Sequence, residues 1–451
     1  MASSVVSAFR RNPRDGAIAA LAVPALGALA IDPLVTIVDT AWVGRLGTVP
    51  LAAIAIAGAV FMAVFSVFNF VHVAVTPLVA GEVGRNDTDR AGSIAVSAVV
   101  IAFATGIVLA FIFIVMSDQV VGFFGAEPDV ASEAGAYLRV RFLSLPAMIV
   151  ATVGHGVYRG HQDTRTPLKV AVGMNVINLV LDPLFIFTFG MGVVGAAWAT
   201  VVAQVVAAVW FLILMFALDR VKLGIRRTRM ALAGLPIAEV LSAGWPMIVR
   251  AASLLAAITA TTVAAARIGT SAVAAHQVAL QVWLFLSFTL DAYAVAASAM
   301  IGKDLGEGAR SAARLLSNRL LALGFLTGIG LSILVLVSAP LMATLFSLEP
   351  AVSSELSTIY WFVIVLQPLT ALVYVWDGIG VGASAFKYLA ASMVVAGIAT
   401  LVTIVVIGDT LTGIWIGLAV LTVTRLVSLA GWYRWGSLSS GRDPSPLSRA
   451  A

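Results

Sequence analysis

Along the chain, unbroken apolar stretches of more than about 18 residues alternate with short polar turns, and each stretch can cross a hydrocarbon core of about 30 Å as a helix. They fall at 16–44, 50–80, 92–117, 129–157, 167–189, 193–218, 236–266, 272–302, 314–338, 350–380, 386–408 and 412–435. The stretches are continuous and rich in Ala, Val, Leu and Gly, where a β-barrel would show short segments alternating with period two. The pattern therefore predicts an all-α polytopic membrane protein of twelve transmembrane helices. With 61% of its residues hydrophobic and 11% charged, the chain has the composition of a protein built for lipid.

The pattern also repeats. VGRLGTVPLAA, starting at Val43, matches AARIGTSAVAA, starting at Ala265, an offset of 222 residues. The same offset, with no gap, pairs Pro24 with Pro246, Glu82 with Asp304, Pro146 with Pro368, Gly160 with Gly382 and Thr200 with Thr422. It also carries Phe124, Glu127, Pro128 and Glu133 onto Phe346, Glu349, Pro350 and Glu355. Each copy holds six crossings, so the expectation is an amino-terminal six-helix lobe (1–218), a linker (219–235) and a carboxy-terminal six-helix lobe (236–451). An even number of crossings brings both lobes in from the same side, which predicts pseudo-twofold symmetry along the membrane normal. Transporters with such parallel repeats bind substrate between the halves and alternate access to it.

Charge sets the orientation. The linker carries Arg220, Lys222, Arg226, Arg227 and Arg229, and the amino terminus Arg10, Arg11 and Arg14, whereas the opposite turns hold only Arg45 and Arg267. The positive-inside rule then places both termini and the linker in the cytoplasm, in an inner membrane crossed many times. The net charge of +5 reports that orientation and not a nucleic-acid partner. The first apolar stretch is long and has no small-residue cleavage site, so no cleaved signal peptide is expected. The chain has no cysteine, which removes disulfides, thiolate metal sites and cysteine nucleophiles.

Ionised side chains within the bilayer are costly, so each is a candidate functional group. In the first half these are Asp32, Asp39, His72, His155 and Asp182; in the second they are Arg250, His276, Asp291, Asp377 and Arg425. Asp39 and Asp182 fall at similar depth below the outer turns. Asn175, Asn178 and Asp182 are spaced to share one helix face, and Thr200 returns to comparable depth. Two carboxylates, amides and a hydroxyl suit a hard cation such as Na⁺, and a desolvated carboxylate pair equally suits a shared proton. At the repeat offset the cluster is lost, Asp39 becoming Thr261, Asn178 Thr400 and Asp182 Ile404. Ion coupling is therefore expected in the amino-terminal half at Asp39, Asn178, Asp182 and Thr200, with Asn175, His155, Asp32 and Asp377 as accessory candidates. Asp32 and Asp182 each precede a proline and could instead cap broken helices. Arg250 and Asp291 are expected to pair, and Arg425 to snorkel or pair locally. Trp42, Trp198, Trp245, Trp283, Trp361 and Trp376 are candidates for stacking on flat cations or for interface anchoring.

The stretches DPLVTIVDTAWVGRLG (Asp32–Gly47), YRGHQDTRTPLKVAVGMNVINLVLDPLFI (Tyr158–Ile186), GVVGAAWAT (Gly192–Thr200) and AAHQVALQV in the second half resemble the multidrug and toxic compound extrusion (MATE) exporters, in their DinF-like prokaryotic branch. The resemblance runs the length of the chain. It implies a two-lobed fold with a central cavity and antiport of organic, often cationic or amphipathic compounds against H⁺ or Na⁺, with membrane lipid around a monomer and no enzyme cofactor. It assigns ion exchange to Asp39, with Asn178, Asp182 and Thr200 completing the site. His155 stands where relatives often carry asparagine, which tilts the expectation towards protons.

Two alternatives remain at this stage. A lipid-linked precursor flippase of the same superfamily needs a strongly cationic cavity, for which Arg250 is the clear midmembrane candidate. A polytopic membrane enzyme needs paired metal ligands or a serine nucleophile motif, and neither is present in the sequence.

Overall fold

The computed structural model describes residues 12–68, 70–123, 125, 127–225, 234–345 and 349–435. Arg10, Arg11, Arg226, Arg227 and Arg229, and the Phe124–Phe346 pair of the repeat, lie outside the described residues. The described residues are helical throughout, with no strand. The helices are α1 (Asp15–Gly44), α2 (Thr48–Phe68), α3 (Phe70–Gly84), α4 (Thr88–Val115), a short α5 (Ser117–Gly122), α6 (Pro128–Phe142), α7 (Leu145–Gly160), α8 (Arg165–Pro183) and α9 (Gly192–Ile213). They continue as α10 (Ile237–Ile268), α11 (Thr270–Gly306), α12 (Arg310–Leu345), α13 (Pro350–Gly382), α14 (Phe386–Ile407) and α15 (Leu411–Trp435). Eleven of the described helices are long and apolar enough to cross a membrane, and the bent pair α6–α7 brings the number to twelve.

The fourth crossing differs from the expected single helix. α6 and α7 meet at 50°, just ahead of Pro146, which lacks an N–H and whose ring collides with the carbonyl four residues back. Ser144 Oγ takes up one local carbonyl, donating to Arg141 O at 2.7 Å. The repeat-equivalent Pro368 sits inside an unbroken α13. The carbonyl it strands is that of Ile364, and Ser332 on α12 donates to this oxygen at 2.6 Å. Ala110 occupies the matching position in the first half and has no hydroxyl to offer. One proline is accommodated by a bend, the other by a hydroxyl from the next helix.

By their contacts the helices form two units, Val23–Ile248, and Val249 onward together with the described residues before Val23. These edges differ from 218 and 236: the start of α1 belongs with the second unit and the start of α10 with the first. Ion pairs account for the first shift. Arg319 Nε and Nη2 donate to Asp15 at 2.7 and 2.6 Å, and Arg14 Nη1 donates to Asp304 at 2.6 Å. The described part of the linker is fastened to the first unit. Tyr158 donates to Asp219 at 2.6 Å, and Gly224, at φ +68°, lies so close to Thr88 O that a Cβ would sit 1.8 Å away.

Close helix approach repeats between the units. A Cβ on Gly106 would meet Pro146 Cα at 2.4 Å, and one on Gly328 would meet Pro368 Cα at 2.7 Å. Gly156 presses on His72 and Gly378 on Ala294, while Gly160 presses on Val79 and Gly382 on Ile301. All three contacts obey the 222-residue offset at both ends, so the repeat is one of packing as well as of sequence. Small residues allow such approach in lipid, where dispersion and backbone proximity replace the hydrophobic effect between helices.

Ser332→Ala strands the Ile364 carbonyl, so it should destabilise the protein by about 1–3 kcal/mol. The check is thermal unfolding in detergent, where a detectable drop is expected for Ser332→Ala and none for Ser357→Ala, whose hydroxyl bonds only its own helix at an exposed position.

Candidate functional site

The amino-terminal half brings its predicted residues together on α1, α8 and α9. Asp182 is fully buried at the end of α8, directly before Pro183, and the helix continues as a wider π turn over Leu184–Thr188. The proline breaks the regular ladder there and fixes the depth of Asp182. One turn earlier Asn178 points its amide nitrogen at Asp182 Oδ1 and at Thr200 Oγ1 on α9, both at 3.4 Å. Thr200 donates in turn to Ala196 O at 3.0 Å. Asp39 on α1 lies within hydrogen-bond reach of Asp182, yet Asp39 Oδ1 and Asp182 Oδ2 are both buried without a donor. Two buried carboxylates brought this close, each with an unmet oxygen, suit a proton or cation between them.

Asn175, one turn before Asn178, serves a different carboxylate, donating to Asp32 at 2.7 Å and to Ala171 O at 2.9 Å. α8 is therefore bonded to α1 at Asp32 and, two turns on, brings Asp182 close to Asp39. His155 is not drawn in: its ring packs on Phe211 at 5.0 Å, with His72 and Arg159 as its charged neighbours.

In the other half the equivalents are apolar or self-satisfied. Thr261, Thr400 and Thr422 are buried and donate to carbonyls of their own helices at 2.6–3.1 Å. Its charged residues gather elsewhere. Asp377 on α13 accepts from Arg250 on α10 at 3.0 Å and from Arg425 on α15. Arg250 thus has Asp377 as a bonded partner, with Asp291 also in its electrostatic field, and of the two expectations for Arg425 the structure shows pairing, the side chain being buried beside Asp377. The tryptophans divide: Trp283 and Trp376 are buried in packing, whereas Trp245 and Trp361 are exposed.

The MatE family model matches residues 24–184 and again 246–407, two segments that begin at Pro24 and Pro246 and so reproduce the offset of the repeat. The chain belongs to the MatE family. Over 434 residues it is 34% identical to Protein DETOXIFICATION 44, chloroplastic, of Arabidopsis thaliana, covering 93% of this chain and 82% of that protein. It is 28% identical to DNA damage-inducible protein F of Escherichia coli (strain K12), covering 93% and 92%. Its fold matches that of a multidrug resistance MATE family transporter solved in an outward-facing conformation, with a TM-score of 0.86 at 22% identity over 97% of this chain and 99% of the other. The family is one of transporters and not of enzymes, which sets aside the membrane-enzyme alternative.

Two polar residues near the carboxylates of this MatE protein escaped the sequence reading, Tyr137 and Arg141 on α6. Tyr137 feels the charge of Arg141, Asp39 and Asp182, and Arg141 that of Asp39 and Asp32, while Arg141 Nη1 donates to Ser144 Oγ at 2.5 Å. The Arg141 guanidinium lies 3.9 Å from the centre of the Phe61 ring. The signal in the sequence was a Tyr and an Arg four apart inside a predicted crossing, close enough to Arg139 and the turn to pass as interfacial charge.

Asn175→Leu removes the donor held against Asp32 and should cost about 1 kcal/mol. Melting of the detergent-purified variant checks this, and Asp32→Asn combined with Asn175→Leu should recover part of the loss, because the unpaired charge is then gone.

Proposed function

We propose that this MatE protein is a proton-coupled antiporter that exports amphipathic organic compounds, cationic ones among them, across the inner membrane. Its two six-helix lobes, 1–218 and 236–451, are joined by the cytoplasmic linker 219–235; both termini are cytoplasmic, and it works as a monomer.

The observation that carries the reading is the donor-less pair Asp39 Oδ1 and Asp182 Oδ2. A proton entering from outside is shared between the two carboxylates, and its departure leaves two like charges that must separate or find a counter-charge. Asp39 rides on α1, which holds Pro24 and Pro33 inside the helix, so it has two weak points in its backbone ladder at which to respond. Asp182 is held by α8 and by Asn178. Protonation of the pair thereby becomes a change in how α1 meets α8, which is the coupling an antiporter needs. The name of the Arabidopsis relative, a detoxification protein, supports organic compounds as cargo.

Sodium is the second reading, because two carboxylates and the Thr200 hydroxyl are hard ligands. Against it, Asn178 turns its nitrogen and not its oxygen towards the cluster.

Efflux of a fluorescent cation from proteoliposomes under a pH gradient or a Na⁺ gradient separates the two. The pH gradient alone should drive efflux, and Asp39→Asn and Asp182→Asn should each slow it at least about tenfold, the scale of one lost essential group. Efflux driven by Na⁺ at constant pH, or full activity in Asp39→Asn, would overturn the proposal.

A further inference from the structure

The carboxy-terminal half holds charged residues that the coupling site does not use. Arg250, Asp377 and Arg425 come from three helices, and Asp377 and Arg425 are more than nine-tenths buried. Both arginines are bonded to the same oxygen, Asp377 Oδ2. Two guanidinium forks with ten N–H groups between them thus share one carboxylate oxygen, and Arg250 Nε is buried with no acceptor. The polar face of α13 continues from Asp377 through Tyr374 to Thr370 and Gln367, at helical spacing. Thr370 Oγ1 and Gln367 Oε1 are likewise buried without a partner. Unmet groups of this kind in a membrane interior call for an occupant.

The fold does not require this arrangement, because the chain contains its own control. At the 222-residue offset Arg250, Asp377 and Arg425 correspond to Ala28, His155 and Ala203. The first half makes the same glycine contacts without any of the three charges, so the triad is not a condition of packing. Nor does it suit a coupling cation: a metal ion or proton approaching Asp377 meets two fixed guanidinium charges already seated there.

We propose that Arg250, Asp377 and Arg425 form an exchangeable oxyanion site, at which the carboxylate of an amphipathic organic ligand replaces Asp377 as the acceptor for Arg250. The planar fork of arginine matches a carboxylate in two-point contact, which a single shared oxygen leaves unused. Asp291 on α11 lies within electrostatic reach of Arg250, and Tyr374 within reach of Asp291, Asp377 and Arg425. The four charged groups balance without ligand, so entry is an exchange of acceptors and not a capture by surplus positive charge. Arg250 is the exchanging arm because it keeps 23% of its side chain accessible against 10% for Arg425. Arg425 stays with Asp377 and prevents that carboxylate from being left alone when Arg250 turns to the ligand. The site extends the export reading to compounds that carry a carboxylate, and it rests on that reading for its purpose but not for its chemistry.

The test is calorimetric binding to the purified full chain with three matched probes: 4-phenylbutyrate, its methyl ester and 4-phenylbutylammonium. The carboxylate should bind at least about tenfold more tightly than the other two, the scale of one charge-assisted pair. Asp377→Asn removes the competing acceptor and should tighten carboxylate binding about tenfold, while Arg250→Gln should abolish it. Arg250→Lys keeps the charge and loses the fork, so an intermediate affinity is expected, and it decides the matter if Arg250→Gln does not fold. Equal binding of the ester or the ammonium compound, an Asp377→Asn variant that binds no better, or a site filled by phosphatidylglycerol and indifferent to phenylbutyrate overturns the proposal. A wild-type protein that binds phenylbutyrate with this preference but moves no fluorescent cation under a pH gradient bears on the coupling reading alone.

Discussion

A hydrocarbon core offers no hydrogen-bond partner, and every backbone or side-chain polar group placed in it must be satisfied by the chain itself. The continuous helices follow at once, since a helix pays its backbone debts internally. The handling of Pro146 and Pro368 follows too. Each proline strands a carbonyl; where Ser332 reaches across from α12 the helix runs on, and where Ala110 stands instead it bends by 50°. The same constraint explains why charged side chains in the described membrane interior are gathered into groups. Asp32 has Asn175, Asp377 has two arginines, and Asp39 with Asp182 stands apart, each keeping a buried oxygen without a partner, which is why the proposed ion site is placed there.

Duplication lets the two kinds of requirement be told apart. Gly106 on Pro146, Gly156 on His72 and Gly160 on Val79 return as Gly328 on Pro368, Gly378 on Ala294 and Gly382 on Ile301. Here a side chain would drive backbones apart, and both copies have kept the small residue. The polar sites have not been kept. Asp39 and Thr261 occupy the same place in the scaffold, and Thr261 bonds the carbonyl of Ile258 three residues before it. What both copies share is the way six helices pack; what differs is the chemistry set on them.

Much of this was legible in the sequence because lipid simplifies the code. Twelve apolar stretches, the offset of 222 and the rarity of internal charge mark crossings and repeat without a structure. Asp39, Asn178, Asp182 and Thr200 could be grouped in advance because helical periodicity and depth are one-dimensional quantities. The failures have a common origin in the angle at which helices face one another. Asp377 was not foreseen as a partner of Arg250 because neighbouring helices are the simplest partners to propose, whereas α13 packs closely on α11 and presents Asp377 to α10 and α15. Tyr137 and Arg141 were missed because the bend after Phe142, invisible in an apolar run, places α6 against the α1 carboxylates. The Arg319–Asp15 pair, which fastens the start of α1 to the second unit and spans most of the chain, likewise cannot be read from either residue's surroundings in sequence.

The charge inventories of the two halves argue for a division of roles. Around α1 and α8 stand Asp32, Asp39 and Asp182 with Arg141 as the basic residue in their field, so with every carboxylate ionised the group carries surplus negative charge that the membrane penalises. In the proposed cycle, one proton on the Asp39–Asp182 pair removes the worst of it, the repulsion of two adjacent carboxylates, and the energy of that relief is what would move α1. Around α13 stand Asp291 and Asp377 with Arg250 and Arg425, a balanced set that gains nothing from an added cation. A balanced set can still exchange partners at little electrostatic cost, since one acceptor replaces another on the same guanidinium. The first arrangement is suited to storing and releasing the energy of an ion gradient. The second is suited to recognising a charged group on a compound without holding it so tightly that it cannot leave.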